Sequence, residues 1–438
     1  MVAPIRLDSL REPVVPLPQP PPGPEHRRHA ARSSHKRHRR RGRRAFLLAL
    51  VLILVAAGAF VGVRLHTPEP APAVTPALSR SASVPVQAVP LPWPTTGQGA
   101  VAVPSIGINV ASGPEKAAPV ASLTKLMTAY VVLHDHPLGR NQPGPTITVD
   151  QAELNDYEDD TVNDDSNAQV TLNEQISEAD VLGGMLVHSA DNYADLLATW
   201  DAGSIPAFVA KMNADAARLG MDHSHFVDPS GVNPGSMSTA SDLLKVAGLD
   251  MANPTFAAMV SMPSITLPVA GTISTYTPLL GLQGVIGVKS GYTSQAGGGD
   301  VLAVDRTVHG KSVLLLAAVT GQTGPIVLAQ AGLHALALVD ALVPFIGSTQ
   351  VLPAHQTVAS VGEAGHRLAA ATTAPASMLT WPGVSATRVF VAAHRVPDQA
   401  RRGTRVGDVV VSLGTQKAVV PVVLQKDIPP QTLLQRLF

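Results

Sequence analysis

The sequence has no cysteine. That excludes a disulfide framework, a thiol nucleophile and any thiolate-held zinc or iron–sulfur centre, and it leaves the redox compartment open. Aromatic residues make up only 4% of the chain. No sign of charge dominates either: 32 Lys and Arg balance 32 Asp and Glu, so total charge points to no partner. No internal repeat is evident. What is abundant is proline, 38 residues, much of it outside the stretches that look foldable.

The balance conceals local extremes. His26 to Arg44 is densely basic, whereas Glu153 to Asp165 is acidic. Directly after the basic cluster, Ala45 to Val63 (AFLLALVLILVAAGAFVGV) is uncharged and long enough to cross a bilayer as a helix. Six arginines, Arg37, Arg39, Arg40, Arg41, Arg43 and Arg44, stand before this run, and only Arg64 follows it closely. The asymmetry orients the N-terminus to the cytoplasm and everything after Leu65 to the outside. A cleaved export signal, with Ala71-Pro72-Ala73 as its processing site, is the competing reading; the long leader favours an uncleaved anchor. The basic cluster then acts as an orientation signal, and no nucleic-acid partner is expected.

The expected organisation follows from composition. Residues 1–44 form a disordered basic tail with a Pro-rich start, 45–63 a transmembrane helix, and 64–97 a stiff Pro/Ala-rich extracellular stalk. From 98 to 345, strands at both ends with helices between them predict an α/β sandwich whose sheet joins early and late segments. Expected helices cover Leu123 to His134, Ser177 to Ala198 with a break at HSADN, Ile205 to Leu219, a run beginning after Ser238 and Thr239, and Pro325 to Val343. Strands are expected at Val101 to Val110, Ile265 to Pro268, Gly287 to Lys289, Asp300 to Arg306 and Ser312 to Val319. Residues 346–438 hold short β-prone runs between turns, which predicts a small all-β C-terminal domain.

Three strings carry the chemistry. In PVASLTKLMTAY, Ser122 and Lys125 are spaced so that, at a helix start, both project into one cavity. A serine hydroxyl is a poor nucleophile until a base takes its proton, and a desolvated neutral lysine can be that base. Alone, this pair reads as a capping serine followed by a solvent-facing lysine. In Ser189-Ala190-Asp191-Asn192, a hydroxyl at a helix break can relay a proton, and a neighbouring amide or carboxylate can hold the lysine; alone it is also an ordinary turn. In Val288-Lys289-Ser290-Gly291-Tyr292-Thr293, at a strand end, Lys289 can pair with a substrate carboxylate, Ser290 can hydrogen-bond to it, and Gly291 lets a peptide approach the edge.

In this order and spacing, the three strings resemble the serine D-alanyl-D-alanine carboxypeptidases, the low-molecular-mass penicillin-binding proteins that share an active-site plan with serine β-lactamases. ASLTKLMTA, GVKSGYTSQAGG, Met212-Asn213, Leu219-Gly220-Met221, Phe226 to Gly231 and Ser238-Thr239-Ala240 extend the likeness over residues 100 to 345. The resemblance implies an α/β fold of the serine β-lactamase/penicillin-binding-protein transpeptidase type, followed by a compact β domain. It implies Ser122 as nucleophile, Lys125 as base and Ser189 as proton relay. Asp191, Asn192, Lys289, Ser290, Gly291 and Thr293 would bind substrate, with backbone N–H groups of Ser122 and near Thr293 holding the oxyanion. The expected partners are peptidoglycan stem peptides ending in D-Ala-D-Ala, β-lactams, and the membrane through the N-terminal helix; no cofactor or metal is needed.

Two departures stand out. The second motif carries Asp191 where the family usually has asparagine, followed by Asn192; either Asp191 takes the position or a local shift brings Asn192 inward, and the spacing favours Asp191. The membrane span is N-terminal, whereas many relatives use a C-terminal amphipathic helix. His188 is expected to be a supporting or surface residue, and the acidic stretch a solvated lid or flank without the glycine of a calcium loop. The competing readings are a β-lactamase, for which no deacylating glutamate is assignable, and a peptidoglycan-binding envelope protein with a degenerate cleft.

Overall fold

The protein is described by a computed structural model covering residues 35–67, 71–362, 367–430 and 432. The Pro-rich tail, the basic cluster before His35 and the segment Leu433 to Phe438 lie outside the described residues. Two compact units emerge, with Pro70–Pro430 forming the larger. The smaller contains the helix His35–His66, whose Gly42–His66 portion has a mean hydropathy of 2.9 and no burial. At 25 residues this portion is about 37 Å long, enough to span a hydrocarbon core.

In the larger unit, a five-stranded antiparallel sheet runs in the order Val285–Thr293, Gly297–Val308, Lys311–Gln322, Gln98–Val103 and Ile108–Ala111. Early and late chain segments meet inside it, with Leu316 opposite Ala102 and Thr320 opposite Gln98. Strand alternation then sorts side chains to two sides. Ala100, Ala102, Leu316 and Ala318 face a helical layer, whereas Val101, Val103, Leu315, Ala317 and Val319 face the opposite core. The helical layer comprises Lys125–Asp135, Glu178–Val187, Asp191–Ala202, Ile205–Arg218, Ala240–Ala252 and Pro254–Val260. Val327–Leu342 covers the other face; with the 3₁₀ turn that carries it on to Phe345 it is long and apolar enough to span a membrane, but its buried share and sheet contacts make it a core helix. Each fully buried Leu or Phe here contributes about 1.5–3 kcal/mol.

Local chemistry explains the boundaries. Thr239, not Ser238, caps the Ala240 helix, accepting the Asp242 N–H at 3.2 Å. The strands Gly297–Val308 and Lys311–Gln322 are joined by a two-residue hairpin turn, with His309 and Gly310 at φ 48° and 75°. The acidic stretch expected as a solvated flank is a helix, Gln151–Asn163, opened by an Asp150–Glu153 capping box. The expected break at HSADN separates Glu178–Val187 from Asp191–Ala202, with Ser189 at φ 64°.

The C-terminal part builds a seven-stranded antiparallel sheet in the order Val74–Pro76, Thr357–Val361, Leu368–Thr372, Gln416–Leu424, Arg405–Leu413, Ser385–Ala392, Ser81–Ser83. Both edge strands come from the segment expected to be a free stalk, which corrects that expectation. Val74–Pro76 pairs with residues 359–361 and Ser81–Ser83 with 385–387. Leu78, Val89, Leu91 and Trp93 pack against the apolar core beneath. Arg388 fastens the crossing between them, donating to the carbonyls of Ser79 (3.1 Å) and Ser81 (2.7 Å). Proline tolerates sheet edges because its missing N–H can face away from the ladder, so a Pro-rich sequence still serves as edge cover.

Candidate active site

The first motif sits where a single 3₁₀ turn, Ala121–Thr124, runs into the helix Lys125–Asp135. Ala121 has φ 50°, a left-handed conformation that costs a non-glycine residue about 1–3 kcal/mol. The turn places Ser122 at the helix entrance, where the dipole favours developing negative charge. One helical turn on, Lys125 is fully buried. Its Nζ lies 3.0 Å from Ser122 Oγ and 2.9 Å from the Ser230 carbonyl, and it contacts Asp191 Oδ1 directly.

The Ser230 carbonyl is held by its own loop. Asp228 Oδ2 accepts from the N–H groups of Gly231 and Asn233, each at 3.0 Å, and Thr128 Oγ1 donates to the Pro229 carbonyl at 2.6 Å. Gly231, at φ 87°, comes so close to the Ala121 carbonyl that a Cβ would stand 1.9 Å from the oxygen. The string Phe226 to Gly231 thus acts as a backbone support for the lysine, a part of the site that the three motifs do not reveal.

The second and third motifs meet across the cleft. Lys289 Nζ donates to Ser189 Oγ and to the Ser290 carbonyl, both at 2.8 Å, and Ser290 Oγ donates to the Tyr276 carbonyl at 2.8 Å. Gly291 passes so near the Ser122 turn that a Cβ there would meet the backbone nitrogens of Ser122 at 2.9 Å and Leu123 at 3.0 Å. Thr293 lines the cleft mouth, its Oγ1 accepting from the Ala296 N–H at 3.1 Å.

Asp191 and Asn192 part company. Asp191 faces Lys125, while the Asn192 side chain turns away and brackets Ala168, accepting its N–H at 3.0 Å and donating to its carbonyl at 2.9 Å. Asn192 therefore does not line the cleft. His188 is also outside it, stacked on Tyr276 and bonded to the Ser274 carbonyl at 2.8 Å.

The cleft has a volume of about 230 Å³ and is lined by Ser122, Ser189, Asp191, Ser290, Gly291 and Thr293. Asp164, Asp165 and Ser166 form one wall, contributed by the loop after the acidic helix. Burial dominates the electrostatics: it pushes the Lys289 amine down to about 7, with the Lys125 charge acting in the same direction, and raises the Asp191 carboxyl against the pull of Lys125. Among the described residues no cluster of His, Asp or Glu could hold a metal.

Ser122, Ser189, Asp191 and Ser290 thus line one cleft, with the buried Lys125 amine against Ser122 and the buried Lys289 amine against Ser189, and the fold around them is that of the penicillin-binding proteins. Penicillin-binding protein 5 from Haemophilus influenzae overlays with a TM-score of 0.56 at 21% identity, covering 78% of this chain and 99% of its own. The Streptomyces K15 DD-transpeptidase covers 58% of this chain and 98% of its own, with a TM-score of 0.51 and 25% identity. Residues 108–322 match the D-alanyl-D-alanine carboxypeptidase family. Among curated relatives, a D-alanyl-D-alanine endopeptidase of Escherichia coli is 31% identical over 213 residues, 46% of this chain and 64% of its own. A D-alanyl-D-alanine carboxypeptidase, DacB2, of Mycobacterium tuberculosis is 33% identical over 185 residues, 41% and 59% respectively. The chain thus spans less than two thirds of the length of these curated relatives. The similarity to the D-alanyl-D-alanine carboxypeptidase family is thus a similarity of residues 108–322.

Proposed function

We propose that the chain removes the terminal D-alanine from peptidoglycan stem peptides through an acyl-enzyme on Ser122, and that β-lactams acylate the same oxygen. The observation that carries this is the 3.0 Å approach of Lys125 Nζ to Ser122 Oγ inside a cleft shared with Ser189.

Lys125 takes the Ser122 proton as Oγ attacks the carbonyl of the penultimate D-alanine. Burial raises the Asp191 carboxyl that contacts Lys125, which favours the neutral form of that carboxyl. Backbone N–H groups at Ser122 and near Thr293 face the developing oxyanion. Ser189, bonded to Lys289, passes a proton to the departing D-alanine, whose carboxylate is received by Lys289 and Ser290. Water then releases the shortened peptide.

Residues 98–345 carry this chemistry, residues 346–430 form an accessory β domain together with the strands Val74–Pro76 and Ser81–Ser83, and the N-terminal helix anchors the chain with its catalytic part outside the membrane. Hydrolysis of cross-links is a second reading, favoured by the endopeptidase relatives of E. coli and Pseudomonas aeruginosa, 31% and 35% identical.

The test is to incubate the protein with a diacetyl-lysyl-D-alanyl-D-alanine peptide, a cross-linked muropeptide dimer and a labelled penicillin. Alanine release with a lasting adduct is expected, both abolished in Ser122→Ala. Rapid penicillin turnover would identify a β-lactamase instead, and silence with every probe a degenerate binding cleft.

A further inference from the structure

Three adjacent strands of the C-terminal sheet, Ser385–Ala392, Arg405–Leu413 and Gln416–Leu424, bury only one face. Ala386, Val409, Val411, Val420 and Val422 belong to the apolar core on that side. Alternation sends the residues between them outward, where a one-sided antiparallel sheet ordinarily carries polar groups. Here the outward row of Val389, Val410 and Val419 is apolar across all three strands, and Val391 and Pro421 lie in the next row. Val389, Val391 and Val419 are 47%, 50% and 53% exposed. Lys417 stands at one end of this face, in register with Ser412 and Thr387. At the other end is the turn from Arg401 to Thr404, followed by Arg405, which is paired with Asp408. Lys417, Arg401 and Arg402 are exposed and enter no ion pair among the described residues.

We propose that this outward face docks on an anionic lipid bilayer, its valines entering the headgroup region while Lys417, Arg401 and Arg402 meet lipid phosphates. The inference rests on the N-terminal helix being a membrane anchor, as proposed above.

Chain length and charge choose the occupant. Val74, the first residue of the sheet in sequence, follows the helix end at His66 by eight positions, and eight residues reach at most about 29 Å. In an anchored chain the start of this sheet therefore stays within reach of the lipid surface. Residues 346–430 hold eight Lys and Arg against four Asp and Glu, whereas residues 98–345 hold nine against 24. An anionic surface attracts the first segment and repels the second. Apolar area and basic charge on one face are the two features that together hold a protein at a bilayer interface. A soluble anionic polymer would leave the valines wet, and a second copy meeting the same face would set basic groups against their like.

The test uses the full chain in vesicles of phosphatidylcholine alone or mixed with phosphatidylglycerol. Because the chain has no cysteine, Val419→Cys and, as a control on the acidic helix, Val162→Cys each give a single site for an environment-sensitive fluorophore. Quenching by nitroxide-headgroup lipid is expected to be several-fold stronger at residue 419 with phosphatidylglycerol than without it, to fade as salt rises, and to stay weak at residue 162. Reversing Lys417, Arg401 and Arg402 to Glu should shift the docking equilibrium roughly fivefold for each residue, with the melting temperature kept. Val391→Thr, which retains a strand-forming side chain, should weaken quenching in both lipids. Quenching that is absent at residue 419, equal at the two labels, or indifferent to phosphatidylglycerol overturns the proposal. So does quenching that appears only when vesicles carry several chains, which assigns the face to a second copy, or a spectral shift produced by a soluble polyanion without lipid. If alkaline carbonate strips the chain from the vesicles, the anchor fails, while the lipid dependence at residue 419 with added vesicles still judges the face.

Discussion

Lys289 Nζ lies 2.8 Å from Ser189 Oγ, joining two motifs that are 100 residues apart in sequence through one buried hydrogen bond. The amine is fully buried and pushed down to about 7, so near neutral pH it is divided between ammonium and free amine. In the proposed reaction, the ammonium is the form that pairs with the substrate carboxylate.

The pH dependence of catalysis follows from that. With the folded value below the unfolded one, the native state holds the Lys289 proton less tightly, and charged Lys289 becomes scarce above about pH 7. kcat/KM for a carboxylate-ended peptide is expected to fall on the alkaline side, by up to roughly tenfold per pH unit. Lys289→Arg keeps its charge throughout this range and should move the limb upward, even if its bulk lowers the maximum. An unshifted limb in the arginine variant would remove Lys289 from carboxylate recognition.

Gly291 tests the geometry of the nucleophile. A Cβ at this position would press on the backbone nitrogens of Ser122 and Leu123, neither of which can rotate aside. Gly291→Ala is expected to displace the strand from the Ser122 turn and slow acylation by roughly 10²-fold, the scale on which a misplacement near 1 Å acts. Overpacking should cost about 1–3 kcal/mol of stability. Single-turnover acylation beside a thermal melt separates the two effects; wild-type acylation would show that the strand does not set the geometry around Ser122.

Much of this site could be read from sequence because its chemistry demands particular residues at fixed spacings: the three strings converge on one cleft, and the spacing argument that favoured Asp191 agrees with its contact to Lys125. What escaped depends on tertiary contact. The Ser230 carbonyl is a backbone atom whose role comes from the Asp228 loop that aims it. The strand Leu368–Thr372, with the sequence LAAAT, has little intrinsic β preference and is decided by its neighbours Thr357–Val361 and Gln416–Leu424. The edge strands near Val74 and Ser81 were hidden for a related reason: proline and alanine read as linker until there is a sheet edge to cover.

Those edge strands yield the remaining prediction. Pro76 and Ser81 are separated by a short crossing, yet their strands cover opposite edges of one sheet, so a single segment protects both rows of unpaired backbone groups. A soluble fragment beginning at residue 96 would lose both covers, together with the packing of Leu78, Val89, Leu91 and Trp93. It is expected to melt well below a fragment beginning at residue 70 and to self-associate on size-exclusion chromatography, whatever its acylation rate. Arg388→Ala, which removes the guanidinium bonds to Ser79 and Ser81 but leaves the strands, should fall between them, at a cost of about 1–3 kcal/mol. Equal melting temperatures and a monomeric short fragment would mean that the segment is a tether lying on the sheet and not a structural part of it.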